Sequence, residues 1–434
     1  MALSRPLDLS KFSENGGVAS KPLVIGNIAY IGAMDTYFYA IDAETGTKIW
    51  SYKTNGPISS TAISDRSAVY FGSYDNYLYA LSFEGKHLWK FKANGLIASS
   101  PQILDGVICF GSSDHNLYAV DTKTHQELWR FGIGDEIVSD PLIVGNRIYF
   151  GSMDNYFYCL DLQGNLVWKF RTNDAILMGQ AASDENGIYF GSVDETLYAL
   201  DFNGNLRWGF KTAEQVYNTA LAKDGRIYFC GRDRYAYCLD AKTGACIWKF
   251  MAVADMYCPP VIHDNRIFFG AEKIYALTMD GYKIWEIPVD GMQVAMNGTV
   301  FGKNIIFSSF DCKIRSIAFG GNVEWIFRTN GVLALLESFL EIIPAPKWNP
   351  ELFDPETVKK SVAFDPYAFS KDSGLKIYGG LDTTGIDAYS GIPRGIGAYK
   401  EKTGSVGAYA DKGKKKKGAL DEILEEQVKN QFGI

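Results

Sequence analysis

The chain has 434 residues, enough for one large repeat domain with an appendage or for two or three ordinary domains. Hydrophobic residues make up 47% and charged residues 21%, a balance that excludes a wholly disordered chain, and a net charge of −7 argues against a general nucleic-acid binder. Aromatics at 14% and 44 glycines predict aromatic strands separated by turns, an all-β composition.

Residues 1–16 read as an N-terminal extension without an apolar core segment, so no secretory signal is expected there. The longest apolar run, 331–344, is too short to span a membrane and carries two Glu. Seven cysteines (109, 159, 230, 238, 246, 258 and 312) form an odd set without framework spacing. Unpaired thiols in a chain read without an export signal predict a reducing, cytoplasmic setting.

From residue 17 to 331 the chain repeats itself. Trp50, Trp89, Trp129, Trp168, Trp208, Trp248, Trp285 and Trp325 recur at gaps of 39, 40, 39, 40, 40, 37 and 40. An acidic ladder runs in phase: Asp35, Asp75, Asp114, Asp154, Asp194, Asp233, Glu272 and Asp311. Between the ladders recurs a Tyr-Ala-Leu triplet, as at Tyr79-Ala80-Leu81. Each unit reads as four short strands. In the third these are 96–104, 106–112, 116–121 and 127–131, separated by Gly, Asp and Asn. Such a sheet cannot bury both faces alone; radial stacking buries them and leaves short edges. The fold expected is therefore an all-β, eight-bladed β-propeller of four-stranded antiparallel blades, followed by an extended C-terminal tail with short helices. Both ladders read as structural, because a catalytic group is not needed eight times: the indoles wedge between blades and the carboxylates hold turns.

The pattern Gly-Ser-x-Asp-x-x-Leu-Tyr-Ala-Leu-Asp-x-x-Thr-Gly-x-x-x-Trp, nearly complete at 111–129 and 32–50, resembles the pyrroloquinoline-quinone-like (PQQ-like) propeller repeat. It is most similar to the minimal members of that family, the stand-alone propellers of bacterial outer-membrane barrel assembly and of archaeal repeat proteins. The quinoprotein dehydrogenases of the family carry an adjacent Cys pair over the cofactor and a calcium site of Glu, Asn and Asp. This chain has no Cys-Cys and no Cys-x-x-Cys-His, so no cofactor is expected. It has no lipobox either.

The search for chemistry finds no metal-ligand spacing among His87, His115, His125 and His263, and no nucleophile, phosphate-loop or dinucleotide motif. Cys230, Cys238 and Cys246 fall on adjacent predicted strands, which leaves a thiolate cluster open. The preferred reading is a small buried hydrophobe, since Cys159 and Cys238 take the Ala position of the triplet. Departures from the repeat carry more information. The innermost strand opens with Ser-x-Pro or similar in units one to four, but not in units five to eight. There Met178, Gln180, Tyr217, Asn218, Met256, Tyr257, Met292 and Met296 form a candidate channel-mouth binding arc, with packing drift as the other reading.

After 331 the repeat stops. Residues 332–411 are rich in Pro, Gly and Tyr, with Tyr367, Tyr378, Tyr389, Tyr399 and Tyr409 spaced ten or eleven apart as candidate partner anchors. Residues 412–434 hold a lysine run and a predicted terminal amphipathic helix whose Leu420, Ile423, Leu424 and Val428 share one face. The function expected is a non-catalytic scaffold, with the propeller as a rigid platform and the tail docking protein partners. The alternatives are an enzyme or small-molecule sensor at the mouth of blades five to eight, and nucleic-acid contact through the lysines.

Overall fold

The computed structural model describes residues 17–177, 179–217, 220–288 and 296–330, with the side chains of 296 and 297 left aside. Within them 32 strands, numbered β1 to β32 in chain order, form eight separate four-stranded sheets. The chain is an eight-bladed β-propeller of antiparallel blades. Blade one comprises β1 (Leu23–Ile25), β2 (Ile28–Gly32), β3 (Tyr37–Asp42) and β4 (Lys48–Lys53), paired in chain order. The second and third strands are buried on both sides between neighbouring blades and read as unbroken apolar runs, such as Tyr37–Asp42, YFYAID. The fourth strand alternates exposed and half-buried positions, because its outer edge faces solvent. A register shift between the third and fourth strands recurs in every blade, as at Ala40/Ile41.

Blade three shows where the sequence reading needs correction. Its first strand, β9, covers only Gln102–Leu104, whereas 96–104 was expected. Residues 96–101 cross over from the preceding blade, and their backbone N–H groups go elsewhere. Leu96 donates to Ser113 Oγ, Ile97 to the Ser73 carbonyl of the previous blade, and Ser100 to Asp140 Oδ1. A ladder strand is therefore not available to them.

Antiparallel alternation puts the second-to-third turns and the blade-to-blade crossovers on one face of the disc, here the crossover face. The first-to-second and third-to-fourth hairpins lie on the other.

On the hairpin face, seven indoles donate Nε1–H to a carbonyl of the next blade at 2.8–3.1 Å, from Trp50 to Phe83 through Trp285 to Phe319 and Trp325 to Ala43. The ring lies on the hairpin glycine of that blade. At Gly244 (φ +73°), a Cβ would stand 2.6 Å from the Trp208 ring, so positive φ and close approach both demand glycine. Blade three is the exception: His125 takes the left-handed position (φ 59°) and stacks on Trp89 at 4.7 Å.

On the crossover face the acidic ladder joins blades. Asp75 Oδ2 accepts the Asn55 N–H of the previous blade, Oδ1 accepts its own turn's Tyr77 N–H, and the Tyr79 hydroxyl donates to Oδ2. The interblade bond recurs for Asp35, Asp114, Asp154, Asp194, Asp233 and Glu272 at 2.8–3.3 Å. The tyrosine bond recurs at 2.5–2.7 Å in blades one to six.

Closure uses the same devices. Blade eight, β29 (Met296–Phe301), β30 (Asn304–Ser309), β31 (Lys313–Ala318) and β32 (Val323–Arg328), shares no sheet with blade one. The two are joined by Trp325 to Ala43, the Asn330 N–H to Asp35, Thr299 Oγ1 to the Pro22 carbonyl and Ser308 Oγ to the Ser20 carbonyl.

Candidate functional site

The inner strands are stitched together around the channel mouth of blades one to five. The Lys21 N–H donates to Thr61 Oγ1, the Thr61 N–H to Ser100 Oγ, the Ser100 N–H to Asp140 Oδ1 and the Asp140 N–H to the Gly179 carbonyl. Gln180 belongs to this stitching: it forms an isolated parallel bridge with Asp140, and its amide donates to the Pro141 carbonyl at 2.8 Å. Ser139, Asp140, Gly179 and Gln180 edge a shallow recess between blades four and five. Burial there pushes the Asp140 carboxyl up to about 6, against the lowering effect of its hydrogen bonds with Ser100.

One position outward, Ser20, Ser60 and Ser139 donate Oγ–H to the carbonyl of the glycine ending the second strand. Blade seven, read from sequence as departing from this pattern, uses Cys258 in the same way, its thiol lying 3.6 Å from the Gly270 carbonyl.

The other arc residues separate into core and surface. Met256 is fully buried and stands where other blades place Ile58, Ile97, Ile137, Ile176 or Val216. It packs in the cluster that holds Cys230 and Cys238, so it does not present a side chain at the mouth, and its place in the binding arc is corrected to core. Met178, Asn218 and Met292 lie outside the described residues, and Met296 is described only as the backbone start of β29.

Tyr217 and Tyr257, from successive crossovers, do come together. Their ring centroids are 6.5 Å apart and 30° from parallel, and the Arg232 guanidinium lies over both, 5.2 Å from Tyr217 and 5.5 Å from Tyr257. Arg232 sits in the turn between β22 (Arg226–Cys230) and β23 (Tyr235–Asp240), where blades four and five have Met153 and Val193.

Only 6% of Arg232 is exposed. Its Nη1 donates to Gln215 Oε1 and to the Tyr217 hydroxyl, its Nη2 lies 3.7 Å from Asp255 Oδ2, and the Tyr257 hydroxyl donates to the same carboxylate. Asp174 and Glu214 stand close enough to Tyr217 to act on its ionisation. Burial raises the Asp255 and Glu214 carboxyls, and Arg232 opposes this in both. Without that guanidinium, Glu214, Asp233 and Asp255 would repel one another in a partly desolvated site.

Sequence reasoning found both tyrosines but missed Arg232. The available signal was its place immediately before a ladder Asp, where the other blades carry an uncharged residue. A second missed feature is in blade eight, where Arg315 replaces the triplet tyrosine and forms a buried ion pair with Asp311; Lys313 Nζ lies 3.7 Å from the same carboxylate. The constant four-residue step from ladder Asp to triplet Tyr was the signal there.

Cys230, Cys238 and Cys246 do lie on adjacent strands, with Cys238 opposite Trp248 and Cys246 opposite Leu239. Burial pushes the Cys238 and Cys109 thiols up to about 12 and Cys159 up to about 11, which keeps them protonated and weak as nucleophiles. Among the described residues no three His, Cys, Asp or Glu side chains gather as a metal-ligand set. The candidate docking residues Tyr367, Tyr378, Tyr389, Tyr399, Tyr409, Leu420, Ile423, Leu424 and Val428 lie outside the described residues.

Comparison with known proteins bears on the fold. Residues 9–226 match the family described as the β-propeller of the beta-alanine-activating enzyme, and residues 155–323 match the family of the outer membrane protein assembly factor BamB. Among solved structures, BamB from Moraxella catarrhalis is 18% identical over 62% of this chain and 88% of its own, with a TM-score of 0.56. The computationally designed Ika8 protein is 15% identical over 70% of this chain and 97% of its own, with a TM-score of 0.63. No curated protein matches. At these identities the structural likeness speaks for the architecture alone.

Proposed function

Because the chain belongs to the PQQ-like β-propeller family, matching the beta-alanine-activating enzyme propeller over half its length, we propose that it is a non-catalytic scaffold that holds protein partners in a larger assembly. The observation that carries this reading is the use made of the repeated polar groups. Seven ladder carboxylates and seven indoles bond across blade boundaries, so the groups that recur once per blade build a rigid disc. A rigid disc presents its crossovers with little entropic cost on binding. The name of the matched BamB family, an outer membrane protein assembly factor, is consistent with a propeller serving assembly.

In this reading the segment after Asn330 supplies linear docking motifs: its tyrosines as anchors, its apolar Leu420, Ile423, Leu424 and Val428 as a docking face. Seven cysteines, none of them in a disulfide, favour a reducing, cytoplasmic compartment. The test is a native pull-down of the full chain beside a chain ending at Asn330, read by quantitative mass spectrometry. A stoichiometric partner lost on truncation is the expected result. Identical partners for both chains would reject the tail's role, and no stoichiometric partner for either would reject the scaffold.

A further inference from the structure

The repeat supplies an internal reference, because each position of one blade can be compared with its counterparts in the others. Three residues past the ladder Trp, five blades carry Lys53, Lys92, Arg171, Lys211 and Arg328; blade six carries Met251. Five residues past it stand Asn55, Asn94, Asn173 and Asn330, against Val253 in blade six. Both substituted side chains are open to solvent, Met251 at 51% and Val253 at 67% exposure.

Two and four residues beyond Val253 come Asp255 and Tyr257, the pair that meets Arg232 and Tyr217. A radial stripe thus runs inward along the crossover face of blade six, from exposed apolar to half-buried aromatic, with a buried Arg lying against both rings. Met, Tyr and Arg are the residue types enriched at interface cores.

The charge around the stripe is net acidic. Asp174, Glu195, Glu214, Asp233, Asp255 and Glu272 face Lys211, Arg232, Arg234 and Lys249, six carboxylates to four cations. Of the four cations, Lys211 is paired with Glu195, Arg232 is buried against the rings, and Lys249 lies over the Tyr235 ring. Among the described residues Asp174 and Glu214 form no ion pair.

We infer that the crossover face of blade six is a docking surface for a protein segment that sets an apolar side chain beside a lysine or arginine. The apolar group covers Met251 and Val253, and the cation lies against Asp174 and Glu214 next to Tyr217, whose ring can also receive it. This rests on the scaffold reading and narrows it to one surface and one partner chemistry.

The test pans a phage-displayed library of random dodecapeptides on the full-length protein and measures selected synthetic peptides on three variants. Met251→Lys combined with Val253→Asn restores residues that sibling blades already carry at these positions, so the blade has a precedent for folding with them, and a thermal melt checks this. Glu214→Gln removes the charge alone.

Enriched peptides are expected to carry Leu, Phe or Met within a few residues of Lys or Arg. Affinity should fall roughly tenfold or more on the double variant, and by a smaller factor with a flatter salt dependence on Glu214→Gln. Tyr257→Ala, which removes a ring without adding charge, should also weaken binding. Peptides that bind the double variant as tightly as the native chain, acidic peptides, or no enrichment would each overturn the assignment. The scaffold reading is judged separately, by whether the native pull-down recovers a stoichiometric partner.

Discussion

Trp325 in the last blade donates its indole N–H to the carbonyl of Ala43 in the first, at 3.0 Å, and its ring lies on Gly46 of the same hairpin. Six other indoles make the equivalent bond between sequence neighbours, but this one joins residues 282 positions apart. Among the described residues no strand is exchanged at the closure, and side-chain contacts of this kind join its two blades. Trp325→Phe should cost about 1 kcal/mol through the lost hydrogen bond, and Trp325→Ala about 3–5 kcal/mol through the cavity. Denaturant melts would check both. The informative comparison is with Trp168→Ala at an internal boundary. The closure variant should also raise protease sensitivity at both chain ends, which the internal variant should not.

The one hairpin that stacks His in place of Gly on its Trp provides a second check. His125 holds a left-handed backbone that favours glycine, and offsets this by stacking on Trp89. His125→Gly relieves the strain while losing the stack, and should leave stability within about 0.5 kcal/mol of native. His125→Ala keeps the strain and loses the stack, and should cost about 1–2 kcal/mol. Equal losses in the two variants would refute the offset.

Asp140 predicts a pH dependence. Burial holds its carboxyl at about 6, above the ordinary aspartate range. A carboxyl raised in the folded state binds protons more readily there than in the unfolded chain. Its ionisation therefore lowers stability as pH rises through about 6, and the penalty is absent below about 4. Asp140→Asn keeps an oxygen to accept the Ser100 N–H and removes the charge. The variant should be more stable than native by about 1–3 kcal/mol near pH 8, with the difference vanishing near pH 4. Urea melts across that range decide it, and a constant difference would count against the burial argument.

Arg232→Gln should give a stability loss that also grows with pH, with a larger amplitude. Removing the guanidinium leaves Asp255, Asp233 and Glu214 to repel one another in a buried site, and pushes their carboxyls further up. The loss should reach about 3 kcal/mol near pH 8 and shrink on acidification, as the carboxyls take up protons. A loss independent of pH would mean that Arg232 acts by packing on Tyr217 and Tyr257 alone.

Much of this architecture was legible because the repeat is strict. The Trp and acidic ladders gave blade number and phase, since a group needed once per blade must recur at the blade's period. What the sequence concealed were bonds between ladders. The bond from the Tyr79 hydroxyl to Asp75 cannot be seen in composition. Yet in blades one to six the tyrosine of the triplet lies four residues after its Asp, just inside the strand that leaves the turn, where its hydroxyl reaches back. Met256 entered the candidate arc beside Tyr257, although its place eight residues after the blade Trp, held elsewhere by Ile58, Ile97, Ile137, Ile176 and Val216, marks it as core. Arg232 was missed because its neighbours in space, Tyr217 and Tyr257, sit 15 and 25 residues away, in two different crossovers.

The most direct test of the scaffold account is native mass spectrometry of the tagged full chain purified from its source at near-physiological salt. The account predicts a discrete species heavier than the 48.2 kDa chain, with fixed partner stoichiometry, that dissociates when Met251→Lys and Val253→Asn are introduced together. Recovery of the 48.2 kDa chain alone would contradict the scaffold, and a complex indifferent to the two substitutions would contradict the surface assigned to it.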